Sequence, residues 1–506
     1  MAGGQARARP SSHHHSPHRK TPALAPSTDP AIVSLDATAL SAAIHAGTIA
    51  CVAVMEAYLH QIQRFNPAVN AIVSMRPRAD LLAEAAACDA ELAAGRSRGW
   101  MHGFPQAIKD LADCAGFATT KGSPVFKDTV AQSDAIFVAR MRAAGSIFIG
   151  KTNTPEFGLG SHSFNPVFGA TRNPYDPSKA AGGSSGGAAT ALAMRMLPVA
   201  DGSDHGGSLR NPAAFNNVLG LRPAYGRVPV AVDEVFLPGM SVVGPMARKT
   251  KDLAALLAVQ AGYDPRVPMS IRQDPAGFLG PLDRDVKGLR IGWLGDLDGH
   301  LPMEDGVKAL CREALKAFEG LGASVEDASL GFDPESIWQA WKTLRSWQIG
   351  HTLLPIHADP AKRALLKPEA AWEVERGLEL TAADIIRASA LRSAWYQQVV
   401  KLFQRFDVMV LPSAQVFPFP VEMRWPAEIA GRTMDSYHRW MEVIAAVTMS
   451  GCPAVSVPAG FNAAGLPMGM QLWGPNQSER FLLELSQAYE DATGWVEARK
   501  PGLLAG

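Results

Sequence analysis

The chain has 506 residues, 47% of them hydrophobic and 19% charged, an ordinary composition for a globular protein with a large core. Lys and Arg together number 48, as do Asp and Glu, so the zero formal net charge leaves no electrostatic footprint for nucleic acid or an anionic membrane. No apolar run reaches the roughly 18 residues that read as a membrane span, and five widely spaced cysteines without a CxxC argue against a disulfide framework and for a reducing, cytoplasmic setting.

The first 30 residues are rich in Pro, Ser, Arg and His and carry no acid before Asp29. They bury too little apolar surface to order themselves and lack the apolar run of a signal peptide, so a solvated tail is expected over 1–30. The histidine triplet at 13–15 offers at most adventitious metal binding. Residues 31–506 read as a single domain. "LDATALSAAIHAGTIACVAVMEAYLHQIQRFNP" gives two helices, the second with Val52, Met55, Leu59 and Ile62 on one face. "ADLLAEAAACDAELAAG" is a third helix, closed by Gly95. "GFPQAIKDLADCAGFATTKGS" has the Gly and Pro punctuation of strands and loops. "DAIFVARMRAAG" reads as helix, and "SIFIGKTNTPEF" as a buried strand over 147–149 followed by a turn. "GGAATALAMRML" suits a buried helix, because alanine packs closely and has the best helix propensity.

Further on, "LRIGWLG" reads as a strand, "EDGVKALCREALKAFEGLGASVEDA" as helix, glycine stop and strand, and "FDVMVLPSA" and "PAVSVPAGF" as short buried strands. Strands alternating with helices predict an α/β fold with a mixed, largely parallel central sheet covered by helices. Seven of the 11 tryptophans fall between Trp338 and Trp440, in a mostly helical stretch at about 330–440 that reads as a cap over the sheet. Those rings are either an apolar substrate wall or ordinary helix packing.

The densest glycine sequence is "AGGSSGGAATALAMRMLPVADGSDHGGSLRNPAA", residues 181–214. It is not a phosphate loop, because Ala188 and Ala189 follow Gly187 where Lys and Ser/Thr are needed. No HExxH or paired Cys/His spacing predicts a metal, and His351 and His357 have no clear partners. No GxSxG elbow places a serine hydrolase of the His-Asp kind. A serine nucleophile here needs another base. A lysine serves if burial keeps it neutral, which shifts its pKa from about 10.4 to ~7 and costs roughly 4–5 kcal/mol in differential solvation. Glycines then exclude water and let backbone N–H groups approach a developing oxyanion.

The segment resembles the signature of the amidase signature family: GGSSGG, an alanine-rich stretch, then G-S-D-x-G-G-S-L-R-x-P-A, with the two serines 24 positions apart. "PQAIKD", "TTKGS", "GKTNTPEFG", "GATRNPYDPS", "GLRPAYGRVP", "GPMAR" and "GLPMGMQLWGP" follow the family's order, so the resemblance covers about residues 35–495. It implies the family's amidase fold and hydrolysis of C–N bonds in small-molecule amides or carbamates, as in aryl acylamidases and urethanases, with no cofactor. Lys109 takes the place of the base and Ser208 that of the nucleophile. Ser184, after a cis peptide, takes the bridging place, with Ser185 its rival. His205, Gly206, Gly207 and Ser208 would supply oxyanion N–H groups, and Asp204 and Arg210 would brace the loop. His205 faces either substrate or packing. Lys121 and Lys127 read as solvated charges. The alternatives are an amidotransferase subunit that hydrolyses glutamine alongside partners, and a non-catalytic homologue. A homodimer enters only as a family expectation.

Overall fold

The computed structural model describes Met1 and residues 30–505 except positions 233 and 238; the tail expected at the N-terminus falls almost wholly outside the described residues. The expected helices at the start of the chain are present, including α1, Cys51–Val69, and α2, Arg78–Ala93, which runs into Gly95 at φ +71°. A small sheet comes next. Its strands are β1, Ile72–Val73, β2, Pro105–Lys109, and β3, Ile147–Thr152, with β3 in the middle, antiparallel to β1 and parallel to β2.

The large sheet holds β4, Ala200–Asp204; β5, Leu219–Arg222; β6, Val242–Ala247; β7, Arg290–Trp293; β8, Ser324–Asp327; β9, Val408–Pro412; β10, Ala454–Phe461; and β11, Pro467–Trp473. Their spatial order is β8-β7-β9-β11-β10-β5-β6-β4. The α/β class and the mixed sheet are as expected, but the sheet is not largely parallel. Only β8–β7 and β7–β9 pair parallel. The other five pairs are antiparallel. The reason lies in which strands announce themselves. Those visible in sequence, such as "RIGW" and "VMVLP", are compact apolar runs separated by helices, and that arrangement suggests parallel crossovers. The strands that impose antiparallel pairing read "ADGSD", "LGLR", "VVGPMA" and "PMGMQLW", where Gly, Ser and Asp hide the pattern. The last is joined to β10 by a tight turn in which Leu466 N–H and Gly465 N–H are both bonded to Asn462 and Gly465 lies at φ +79°.

Two short helices flank the glycine-rich signature: α3, Gly186–Ala193, and α4, Arg210–Asn216, both wholly buried. At Gly187 a Cβ would stand 2.4 Å from Asn153 N and 2.6 Å from Ala71 O. Helix α3 therefore touches neighbouring backbone directly, which only glycine permits.

The tryptophan-rich stretch is helical: α5, Pro334–His357; α6, Pro368–Glu379; and α7, Ala382–Arg405. Backbones of α5 and α6 meet at Gly350 and Gly377, where a Cβ on either would stand 3.3 Å from the other's Cα. Trp338, Trp341, Trp395 and Trp440 are fully buried, so for these four rings helix packing is the better description. A contiguous apolar cluster runs from Ile32 to Tyr489, and all five cysteines are free and buried. Among the described residues no helix is long and apolar enough to cross a membrane.

Candidate active site

Strand β2 ends at Lys109, whose backbone N–H donates to the Asp201 carboxylate on edge strand β4 at 3.2 and 3.3 Å. This contact fastens the small sheet beside the large one and aims the lysine side chain inward. The residue is 1% exposed, and its amine donates to Ser184 Oγ and Ser185 Oγ, both at 2.8 Å, and to Ser203 Oγ at 3.0 Å. Burial pushes it down to about 7, although Asp201 and Asp204 pull the other way. The same burial pushes the Asp201 carboxyl up to about 6. The Gly183–Ser184 peptide is cis.

Ser208 joins the group through the backbone. Ser185 N–H donates to its carbonyl oxygen at 3.3 Å, while the Ser208 hydroxyl makes no hydrogen bond among the described residues. The loop that carries Ser208 is braced by charge. Asp204 Oδ1 accepts from Gly207 N–H at 2.9 Å, Arg210 Nη2 at 3.0 Å and Arg222 Nη1 at 2.9 Å; Oδ2 accepts from Leu209 N–H and Arg210 Nε. Burial alone would raise the Asp204 carboxyl. The Arg210 and Arg222 charges and these hydrogen bonds hold it well below the usual carboxylate range instead. Arg210 also reaches Gln471 Oε1 at 2.7 Å and Thr448 Oγ1 at 2.9 Å, tying the loop to β11 and to the helix before β10.

Gly207 departs from expectation. Its N–H is bonded to Asp204, so of the four N–H groups expected to be free only those of His205, Gly206 and Ser208 have no acceptor among the described residues. The signature shows that a carboxylate sits nearby but not which amide it takes. Gly206 is needed for space: a Cβ there would stand 3.1 Å from Trp341 Cζ2. His205 Nδ1 shares a hydrogen bond with Ser241 Oγ at 2.9 Å and its ring lies edge-on to Trp341, and burial holds its imidazole well below the ordinary range. Its side chain therefore faces packing. Ser203 is the residue that sequence reasoning missed; alternation on a five-residue strand that also carries Asp201 was the available signal. Lys127 is exposed and Lys121 half-buried over the Phe126 ring, and neither approaches the serines.

Asp204→Asn is expected to destabilise the fold by about 3–5 kcal/mol, since two buried guanidiniums lose their charge partner. The native carboxyl titrates below its unfolded value. Its stabilisation is therefore complete above about pH 4 and is lost as pH falls toward the native pKa. Urea unfolding at pH 7 and pH 3 checks this, with the gap between wild type and variant narrowing at the lower pH.

Comparisons with known proteins identify the family. The Amidase family model matches residues 53–483. An acylamidase of Rhodococcus erythropolis is 33% identical over 472 residues, 92% of this chain and 97% of that protein. A glutamyl-tRNA(Gln) amidotransferase subunit of Alkaliphilus metalliredigens is 32% identical over 467 residues, 87% of this chain and 93% of that protein. The crystal structure of a bacterial aryl acylamidase of the amidase signature family superposes with a TM-score of 0.88 at 28% identity, covering 94% of this chain and 99% of that one. The chain belongs to the amidase family and is an amide-hydrolysing enzyme.

Proposed function

We propose that the enzyme hydrolyses C–N bonds of small-molecule amides and carbamates through an acyl-enzyme on Ser208, with Lys109 and Ser184 relaying the proton. The observation that carries this is the buried Lys109 amine, 2.8 Å from Ser184 Oγ and depressed to about 7. A neutral amine has two N–H donors and one lone pair, and three hydroxyls surround this one. When Ser185 and Ser203 take the two N–H groups, the lone pair is left facing Ser184. In this assignment Ser185 and Ser203 orient the base and Ser184 is the bridge.

In the forward step the Ser208 hydroxyl gives its proton to Ser184 oxygen as Ser184 gives its own to Lys109. The Ser208 oxygen bonds to the carbonyl carbon. The oxyanion is held by the N–H groups of His205, Gly206 and Ser208, each worth roughly 3–4 kcal/mol by analogy with other oxyanion donors. The proton returns through Ser184 to the leaving nitrogen and the C–N bond breaks. Water repeats the cycle on the acyl-enzyme and releases the acid.

An amidotransferase subunit is the second reading, favoured by the 32% identity to the Alkaliphilus relative. Purified protein assayed alone against anilides, aliphatic amides, carbamates and esters separates the two. Turnover of p-nitroanilides and carbamates without any partner is expected. Activity confined to glutamine and dependent on added partner proteins would replace the proposal with the second reading.

A further inference from the structure

Edge strand β4 meets the base at two points. Ser203 Oγ accepts from the Lys109 amine at 3.0 Å. Two positions earlier on the same strand, the Asp201 carboxylate accepts the Lys109 backbone N–H at 3.2 and 3.3 Å. Residues two apart on a strand share a face, so Asp201 and Ser203 both lie against the base. Asp201 is 1% exposed.

Three buried carboxylates surround Lys109, and two of them have cations of their own. Asp204 holds Arg210 and Arg222. Asp110, next to Lys109 in the chain, faces the Lys151 amine of β3 at 4.0 Å and takes the Thr120 N–H at 3.0 Å. Lys151 is the other cation that acts on Asp201, but its amine is engaged by Asp110 and by Ala112 O at 2.6 Å. Asp201 forms no ion pair among the described residues, and its bond from the Lys109 amide is long and shared between both oxygens. A neutral Asn would fasten β2 to β4 in the same way, and a buried charge costs more than a buried amide. What the charge adds is a field on the Lys109 amine that no bonded counter-charge cancels. Burial pushes the carboxyl up to about 6 and the amine down to about 7, so Asp201 is ionised where the amine sheds its proton, and it opposes the effect of burial there.

We propose that Asp201 is a positioning residue that sets the basicity of Lys109, its negative charge keeping the amine basic enough to take the Ser184 proton at neutral pH. Asp201 itself neither gains nor loses a proton in that step. The proposal rests on the Lys109 relay above.

Asp201→Asn keeps an acceptor for the Lys109 N–H and removes the charge. The amine should then shed its proton at lower pH and be the weaker base once neutral. On a cleaved p-nitroanilide, kcat/KM of the variant should level off at least about one pH unit below wild type. Its plateau should also be several-fold lower, as Brønsted behaviour requires of a weaker base. A purely structural loss would lower the rate at every pH and leave the inflection in place. Asp201→Ser, which removes the same charge from a smaller side chain, should give the same shift. A second measurement needs no turnover. Lysines labelled with ¹³C at Cε are titrated by NMR in Ser208→Ala and in Ser208→Ala with Asp201→Asn, the Lys109 signal being identified by its loss in Lys109→Met. That signal should titrate at lower pH in the second protein. A Lys109 titration or a rate inflection that stays in place without the Asp201 charge overturns the Asp201 assignment alone. A wild-type rate with no inflection near 7, together with full activity of Lys109→Met, overturns the relay, and the NMR titration still decides on Asp201.

Discussion

Ser208→Ala should lower kcat for any cleaved amide by on the order of a millionfold, the scale seen when a serine hydrolase loses its nucleophile. It should also abolish covalent labelling by a fluorophosphonate, read by intact-protein mass. The residue is only 6% exposed, in a loop anchored on Asp204, and replacing its hydroxyl by hydrogen leaves the Ser185 N–H bond to its carbonyl intact. The variant should therefore melt close to wild type, so a lost label reports chemistry and not unfolding. Labelling that persists at Ser184 or Ser185 would move the nucleophile and dismantle the relay described here.

Lys109→Met carries the second large effect. Removing a general base typically costs about 10²–10⁴ in rate. The pH dependence is more specific than the magnitude. In the proposed relay the Lys109 amine acts while neutral, and burial pushes it down to about 7, so wild-type kcat/KM should climb with pH up to about 7 and level off above it. The variant should lose that climb. Stability moves on the same group. In the fold the amine sheds its proton at about 7, whereas in the unfolded chain it does so only at about 10.4. The unfolded state holds the extra proton between those values, so wild-type stability should rise with pH across that window, and the variant should lack this increment. A wild-type rate profile with no inflection near 7 would mean that the base is another group.

The glycine framework around Ser184 and Ser208 was more legible than the sheet. Ser184 and Ser208 stand in a glycine framework that few other tasks would need, and the structure explains that framework at single atoms: Gly187 abuts the backbone of Asn153 and Gly206 abuts the Trp341 ring. Lys109 was legible only through its motif, because nothing local marks a lysine at a strand end as buried. Ser203 and the commitment of Gly207 to Asp204 were not legible. Both depend on where β4 lies against β2 and the signature loop, and that is settled by pairing rather than by composition. The antiparallel half of the sheet was hidden for the same reason: its strands are built from small and polar residues whose burial comes from neighbours distant in sequence. The tryptophans allowed two readings, and the full burial of four of them shows that they hold helices together; Trp341 in addition walls the loop that carries Ser208.

The strand order has a consequence for biosynthesis. Strands β4 to β6 form one half-sheet and β7 to β9 another, and among the described strands the two are bridged only by β10 and β11, which follow all the others in the chain. Until that hairpin inserts, Arg210 lacks Gln471 as an anchor for the loop that carries Ser208. Assembly is thus dominated by contacts of long sequence separation, which makes closure a late event. A nascent chain already containing Lys109 and all of the serines would still lack that anchor, so the Ser208 loop gains its full set of contacts only when the hairpin joins the sheet.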